Sequence, residues 1–361
     1  MPGFYFFTGF RDWLGALGPG VVGRHSGVLM VTMQDVADRA GVSKSTVSRV
    51  LSGKVRLSQA TRDRVNAAIA ELGFRPNSLA QALANQTSNT LGLVVSNFEG
   101  PYFGRLLKTM AQQAELAGKQ LVVTDGHDDP QREREAVELL VDRCCDAIIL
   151  YSRYMPEAEL VTLVETLPVP LIVMNRPVPG YPERAVVFDQ SGSVAAAMEY
   201  LLAQGHRRIA CISGPQQTLT ARTRLAAWRR ALRAAGVEPA DEWVAEGDNL
   251  VEGGYRACQQ LLARGIDFTA LFASNDDMAI GAMRALREAG RQIPAQVSLF
   301  GFDDEPAAAY LSPALSTVHI PIERMSEQAI HQALRLATGA PIEALPTFAG
   351  ELRLRESVQR P

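Results

Sequence analysis

Residues 43–51 read Ser-Lys-Ser-Thr-Val-Ser-Arg-Val-Leu. At helical spacing Val47, Val50 and Leu51 share one face, and Lys44, Ser45, Ser48 and Arg49 share the other. Long donors near the start of an exposed helix reach base edges in a DNA major groove, and a guanidinium pairs bidentately with guanine. Lys44, Ser45 and Arg49 are therefore base-reading candidates. Thr32, Ser43, Thr46, Ser48, Ser58 and Thr61 offer short hydroxyls to phosphate oxygens, contacts that position a protein on a duplex without reading its sequence. A second set of polar and aromatic residues follows short apolar runs later in the chain: Ser96, Asn97, Phe98, Tyr102 and Phe103, then Asp125, Asn175, Phe188 and Asp189, then Arg224, Asn275 and Asp303. Sugars need paired polar groups for their hydroxyls and aromatic faces for their C–H surfaces, and this set supplies both.

Other chemistries lack their residues. Gly281 and its neighbouring glycines form no G-x-G-x-x-G or Walker loop, so a nucleotide-dependent enzyme is disfavoured. His206 and Asp189 have no nucleophile paired with them, and His206 after Gly205 reads as a helix-to-strand turn. Cys144, Cys145, Cys211 and Cys258 match no zinc spacing and form no disulfide framework. No cofactor or metal is expected.

The elements that must position these residues are legible. Thr32 caps a helix with Met33, Val36, Ala37 and Ala40 inside, and Gly41 ends it. Ser43 starts a second helix through Leu51. Ser58 starts a third that carries Val65, Ala68, Ile69 and Leu72 and stops at Gly73. Pro76 opens a short fourth helix over 77–84, and a polar linker covers 85–89. Beyond Thr90, β-rich runs at 91–95, 120–124, 147–150, 171–174, 185–188, 209–213, 270–273 and 297–302 alternate with helical stretches such as 103–117, 133–143, 191–204, 223–235 and 278–289. That rhythm gives parallel sheets covered on both faces. Eight or more strands with a break near Phe188 give two doubly wound lobes, with ligands at strand C-termini. The fold class is thus a small all-α helix-turn-helix domain followed by a two-lobed α/β domain.

Residues 32–85 carry eight basic side chains against four acidic ones in a chain whose net charge is −3. A nucleic-acid role concentrated there is consistent with an acidic whole. No stretch approaches the about 20 apolar residues of a membrane span. Phe4, Tyr5, Phe6 and Phe7 follow no basic segment and precede Arg11 and Asp12, so residues 1–31 read as an extension and not a signal peptide. The location expected is the cytoplasm.

The run 36–51, then 65–72, then Gly73-Phe74-Arg75-Pro76-Asn77-Ser78-Leu79-Ala80-Gln81-Ala82-Leu83 resembles the LacI/GalR family of repressors from about residue 32 to the C-terminus. Residues 274–283 and Phe300-Gly301-Phe302-Asp303-Asp304 resemble its galactose and β-glucoside repressor branch. The resemblance implies a homodimer on palindromic operator DNA, a periplasmic-binding-protein-like effector domain, and release of the operator when a sugar enters the cleft. It implies a hinge helix that folds on the operator, with Leu83 wedged into the minor groove and Asn77 and Ala80 on the same segment. It also implies that Arg224 holds sugar hydroxyls, with Arg222 as the alternative, and that Asn275 and Asp303 meet the same hydroxyls unless they only cap the next helix. Asn249 departs from the aromatic residue many relatives place there. The divisions expected are 32–73 for DNA reading, 74–89 for hinge and linker, 90–354 for the effector domain, and 355–361 as a tail. Within the effector domain, lobe 1 covers about 90–187 and 320–345, and lobe 2 about 188–318 and 346–354. No heptad-bearing segment follows Leu354, so a dimer is expected in place of a tetramer. A periplasmic sugar receptor would explain residues 90–350, yet it predicts a signal peptide where this chain has a helix-turn-helix.

Overall fold

The structure, a computed structural model, describes residues 31–52, 57–74 and 87–361. The hinge positions Asn77, Ala80 and Leu83 and the extension over 1–30 lie outside the described residues. The chain divides into two compact units, 1–78 and 79–361.

In the first unit, α1 (Met33–Ala40) starts in a capping box: Thr32 Oγ1 accepts from Asp35 N at 3.3 Å, and the Asp35 carboxylate accepts from Thr32 N at 2.7 Å. The bonds from Thr32 N and Thr32 Oγ1 to its carboxylate hold the Asp35 carboxyl below its usual range. Gly41 ends the helix at φ +63°, a left-handed turn that costs a side chain strain. Ser43 and Ser58 start α2 (Lys44–Ser52) and α3 (Gln59–Leu72), accepting from Thr46 N at 3.2 Å and Thr61 N at 3.3 Å. Val36, Ala37, Val47, Val65, Ala68 and Phe74 form the core. Arg39 and Glu71 bridge α1 to α3 at 2.6 Å.

The second unit begins with β1 (Thr90–Val95), α4 (Gly100–Leu116), β2 (Gln120–Asp125), α5 (Pro130–Asp142), β3 (Ala147–Tyr151), α6 (Glu157–Thr166), β4 (Leu171–Met174) and β5 (Ala185–Val186). These strands pair in parallel in the order β2-β1-β3-β4-β5. Alternation along β1 sends Leu91, Leu93 and Val95 into one apolar cluster and Val94 into another, so both sheet faces are covered. The second lobe contains α7 (Gln190–Ala203), β6 (Ile209–Ser213), α8 (Leu219–Ala234), β7 (Val244–Glu246), α9 (Val251–Ala263), β8 (Ala270–Ala273), α10 (Asp276–Glu288) and β9 (Ser298–Phe300), with parallel order β7-β6-β8-β9. β10 (Thr317–His319) pairs antiparallel with β11 (Glu351–Arg353). Between them α11 (Ile322–Ala337) packs on α4, β3, β4 and β5, so the chain returns to the first lobe. No described helix is long and apolar enough to cross a membrane.

Two glycines set the position of α10. A Cβ on Gly254 would stand 2.2 Å from Met278 O, and one on Gly281 would stand 1.9 Å from Val251 O, so α9 and α10 touch backbone to backbone. The run at 185–188 shortens to β5, because Phe188 leaves the sheet and bridges to Phe348. The last residues do not hang free as a tail. Leu299 N donates to Ser357 O at 2.8 Å and Ser357 Oγ to Leu299 O at 2.6 Å, and Gln359 N reaches Ser298 Oγ at 3.1 Å. They occupy part of the outer edge of β9, beside the bridge from Phe300 to Ser316.

Candidate functional site

On α2 the apolar side of the helix fixes what the other side can do. Val47 is buried while Lys44, Ser45, Ser48 and Arg49 are exposed. The Ser43 hydroxyl lies 2.8 Å from those of Ser45 and Thr46, and Ser58 Oγ lies 2.8 Å from Thr61 Oγ1. Thr32, Ser43 and Ser58 sit at helix N-termini, where backbone N–H groups and the helix dipole favour an anion. At Thr32 the Asp35 carboxylate opposes this, since it accepts from Thr32 Oγ1 at 2.7 Å.

In the second unit, both sheets open the same way. In the orders 2-1-3-4-5 and 7-6-8-9 the chain reverses direction beside the first strand of each lobe, and a crevice forms outside the strand C-termini at such a switch point. The crevice holds about 930 Å³ of empty space including its open mouth. Asn97, Tyr151, Arg153, Tyr154 and Asn175 line it from strand ends of the first lobe, with Tyr102 and Phe103 from α4. Thr218, Thr220, Arg224, Asp248, Asn249, Asn275, Asp277, Asp303 and Glu305 face them.

Arg224 is the centre of the far wall. Its Nε donates to Gln190 Oε1 at 2.7 Å, Nη1 donates to Ser274 O, and Nη2 lies 3.6 Å from Asp303 Oδ1. Its guanidinium lies 3.7 Å above the centre of the Phe302 ring, a cation–π contact. Gln190 Nε2 donates to Asn175 Oδ1 at 2.9 Å and Asn175 Nδ2 to Thr220 Oγ1 at 3.2 Å, so one polar chain joins the end of β4 to α7 and α8. Burial pushes the Asp303 carboxyl up to about 6 against the pull of Arg224, with Asp277 adding to the rise. Asp303 stands at φ 109° and Asp304 at 54°, a conformation unfavourable to side chains. The bond from Asp303 N to Val318 O, 2.8 Å, holds it there. Strain of this kind persists where surrounding structure over-determines it and concentrates at binding sites.

Asn275 has both readings at once. Its Oδ1 accepts from Met278 N at 3.0 Å, capping α10, while Nδ2 donates to Asn249 O at 2.8 Å and the residue still lines the crevice. Arg222 donates to Gln216 O and Gln217 O at 3.0 and 2.8 Å, fastening a loop outside the crevice wall. Tyr102 and Tyr151 meet through their hydroxyls at 3.1 Å, and burial raises both phenols, so they stand neutral in the wall.

Five sequence candidates lie outside the wall. Ser96 is buried, its Oγ shared between Glu133 Oε1 at 3.2 Å and Tyr151 O at 3.1 Å. Phe98 is 51% exposed to solvent. Asp125 turns back to accept from His127 N at 2.7 Å. Asp189 caps α7 through Gly192 N at 2.7 Å. Phe188 is buried edge-on against Phe302 at 6.1 Å and backs the ring that carries Arg224. Residue type and strand-end position suit all five to a ligand, but local hydrogen bonds, core packing and, for Phe98, exposure to solvent place them elsewhere. Arg153, Tyr154, Asp128, Asp248 and Glu305 were missed. Arg153 and Tyr154 follow β3 directly, so the strand-end rule applied to that run would have found them. His206 is structural, held by Thr269 Oγ1 and Gln359 O at 2.9 Å each.

The profile described as "Bacterial regulatory proteins, lacI family" matches residues 32–77, and that of a periplasmic binding protein-like domain matches 198–358. The HTH-type transcriptional regulator AscG of Escherichia coli is 41% identical over 334 residues, 92% of this chain and 99% of its own length. The chain belongs to the lacI family of bacterial regulatory proteins. GalR of Escherichia coli, a second HTH-type regulator, is 38% identical over 92% of this chain and 97% of its own length. Among solved structures of the family, the lac repressor dimer bound to operator and an anti-inducer superposes with a TM-score of 0.83 at 29% identity, covering 91% of this chain and 99% of that one. This lacI-family member is thus a helix-turn-helix transcriptional regulator with an effector-type domain, and not an enzyme.

Proposed function

We propose that this regulator binds a palindromic operator as a homodimer in the cytoplasm and represses sugar-utilisation genes until a galactoside- or β-glucoside-like sugar enters the cleft. The observation that carries the sugar reading is the Arg224–Asp303 pair at 3.6 Å, set on the Phe302 face at a switch point. A guanidinium only donates and a carboxylate only accepts, so the pair fixes the direction of two neighbouring hydroxyls. Asn275 and Asn175 extend that polar row, and Tyr102 offers an aromatic edge.

For the DNA half, Lys44, Ser45 and Arg49 read base edges, and Thr32, Ser43, Thr46, Ser48, Ser58 and Thr61 meet phosphates. Leu83, with Asn77 and Ala80, forms the minor-groove hinge. Sugar closure shifts the equilibrium between an operator-binding state and a released one, which requires the sugar to favour the second. A gel shift on upstream DNA with a panel of mono- and disaccharides tests this. Release by one sugar supports the reading, and a specific complex that no sugar disturbs opposes it.

A further inference from the structure

Glu305 is an acidic residue of the cleft wall whose whole carboxyl is buried without a hydrogen-bond partner. It is 3% exposed, it lines the crevice, and both Oε1 and Oε2 are buried without a hydrogen bond. Its backbone is firmly placed, since Glu305 N donates to Asp276 Oδ2 at 2.8 Å directly after the strained Asp303-Asp304 pair. A buried polar group left unmade costs free energy, and such groups in a binding cleft mark where a ligand completes the set.

We propose that the Glu305 carboxyl is an effector contact that donates one hydrogen bond to a sugar hydroxyl and accepts another, and that it restricts the effector to sugars without an acidic substituent. This rests on the sugar reading above and narrows its ligand class to uncharged and amino sugars.

Two features of the wall support the restriction. Glu99, Asp128, Asp248, Asp277, Asp303 and Glu305 line the crevice against Arg153 and Arg224, and Arg224 is already committed to Asp303. A phosphorylated or uronic sugar would bring a further negative charge into this space.

The groups that act most strongly on Glu305 are acidic with one exception, although Arg224 pairs with Asp303, and Arg353, Arg355 and His319 pair with Asp304. Asp276 and Asp277 face it from α10, and Asp303 and Asp304 from its own loop. Arg105 approaches from α4, but its Nη1 donates to Asp304 O at 3.2 Å and its Nη2 to Glu323 at 3.1 Å. Burial and the neighbouring carboxylates push the Glu305 carboxyl up to about 8. At neutral pH it therefore keeps its proton and presents one donor and one acceptor, which two neighbouring hydroxyls can satisfy together. Above that value it becomes a carboxylate among carboxylates.

Calorimetry on the full chain at pH 7 and pH 9 tests this with D-galactose, methyl β-D-glucoside, D-galactosamine, D-galactose 6-phosphate and D-galacturonate. We expect an uncharged or amino sugar to bind the wild type and both acidic sugars to bind about 100-fold more weakly or not at all. We expect Glu305→Ala to weaken binding about tenfold or more at pH 7, the loss of one hydrogen-bonded contact. Glu305→Gln keeps a donor and an acceptor, so it should stay within about threefold at pH 7 and lose the drop the wild type shows at pH 9. Equal affinity in Glu305→Ala, a pH profile unchanged in Glu305→Gln, or tight binding of an acidic sugar overturns the inference while leaving the sugar reading intact. A wild type that binds nothing in the panel overturns the sugar reading and this inference with it. If Glu305→Ala does not fold, the pH profile of Glu305→Gln decides.

Discussion

Removing Arg224 perturbs folding and binding together, and the structure gives the size of the folding part. Arg224→Ala deletes the donors to Gln190 and Ser274, lifts the cation from the Phe302 face, and leaves Asp303 without its ion partner. The two side chains are 9% and 11% exposed. Breaking one side of a buried pair costs about 3–5 kcal/mol, because the remaining charge stays desolvated. The pH dependence follows from Asp303, whose carboxyl rises from 3.8 to about 6 on folding. Between those values the folded state binds more protons than the unfolded one, so this group's share of stability falls as pH rises from about 4 to about 6, by roughly 3 kcal/mol. Arg224 holds that loss down by favouring the carboxylate. Without it the decline extends above pH 6, so Arg224→Ala should be costlier at pH 7.5 than at pH 5. In an Asp303→Asn background the orphaned charge is gone, and the cost should shrink by about 1–3 kcal/mol, the coupling of neighbours in contact. Urea denaturation of the four proteins at both pH values measures this. A cost of Arg224→Ala that is independent of pH and equal in both backgrounds would refute the reasoning.

Gly281→Ala should destabilise the protein by about 1–3 kcal/mol or more in thermal melts, because its Cβ would meet the Val251 carbonyl at 1.9 Å. Gly104→Ala, on α4 with nothing within 4 Å of its Cβ, should instead stabilise by about 0.5–1 kcal/mol, and equal behaviour of the two variants would contradict the close contact of α9 and α10. Arg49→Ala should cost about 1–3 kcal/mol on a specific operator in anisotropy titrations and leave non-specific binding nearly intact, whereas equal losses on both DNAs would make it a phosphate contact.

The helix-turn-helix was legible because its signals are local: Thr32, Gly41, Ser43, Ser58 and Gly73 each act within one turn of the residue they cap. The long parallel strands were legible because burial on both faces leaves continuous apolar runs such as 147–151 and 171–174. β7, β10 and β11 are three residues each and take their conformation from the strand beside them, so no run announces them. The docking of residues 357–359 on β9 is likewise a long-range pairing with no local mark. At the cleft, Arg224, Asn275 and Asp303 could be read from family motifs and strand ends. Sequence could not tell that Phe188 would back the Phe302 ring or that Glu305 would be buried without a partner. Those facts depend on how the segments after β5 and β9 leave their sheets.

In the proposed function, occupation of the cleft controls the grip on DNA. Its most direct test is an anisotropy titration of the full chain against a palindromic duplex from its upstream region, with and without a sugar whose binding calorimetry has established. The sugar is expected to lower operator affinity by about tenfold or more, a coupling of about 1.4 kcal/mol. Arg224→Lys, which keeps the charge but loses the planar fork, is expected to bind the operator normally and to respond only at higher sugar concentration. An operator affinity unchanged while the sugar occupies the cleft would contradict the proposed function.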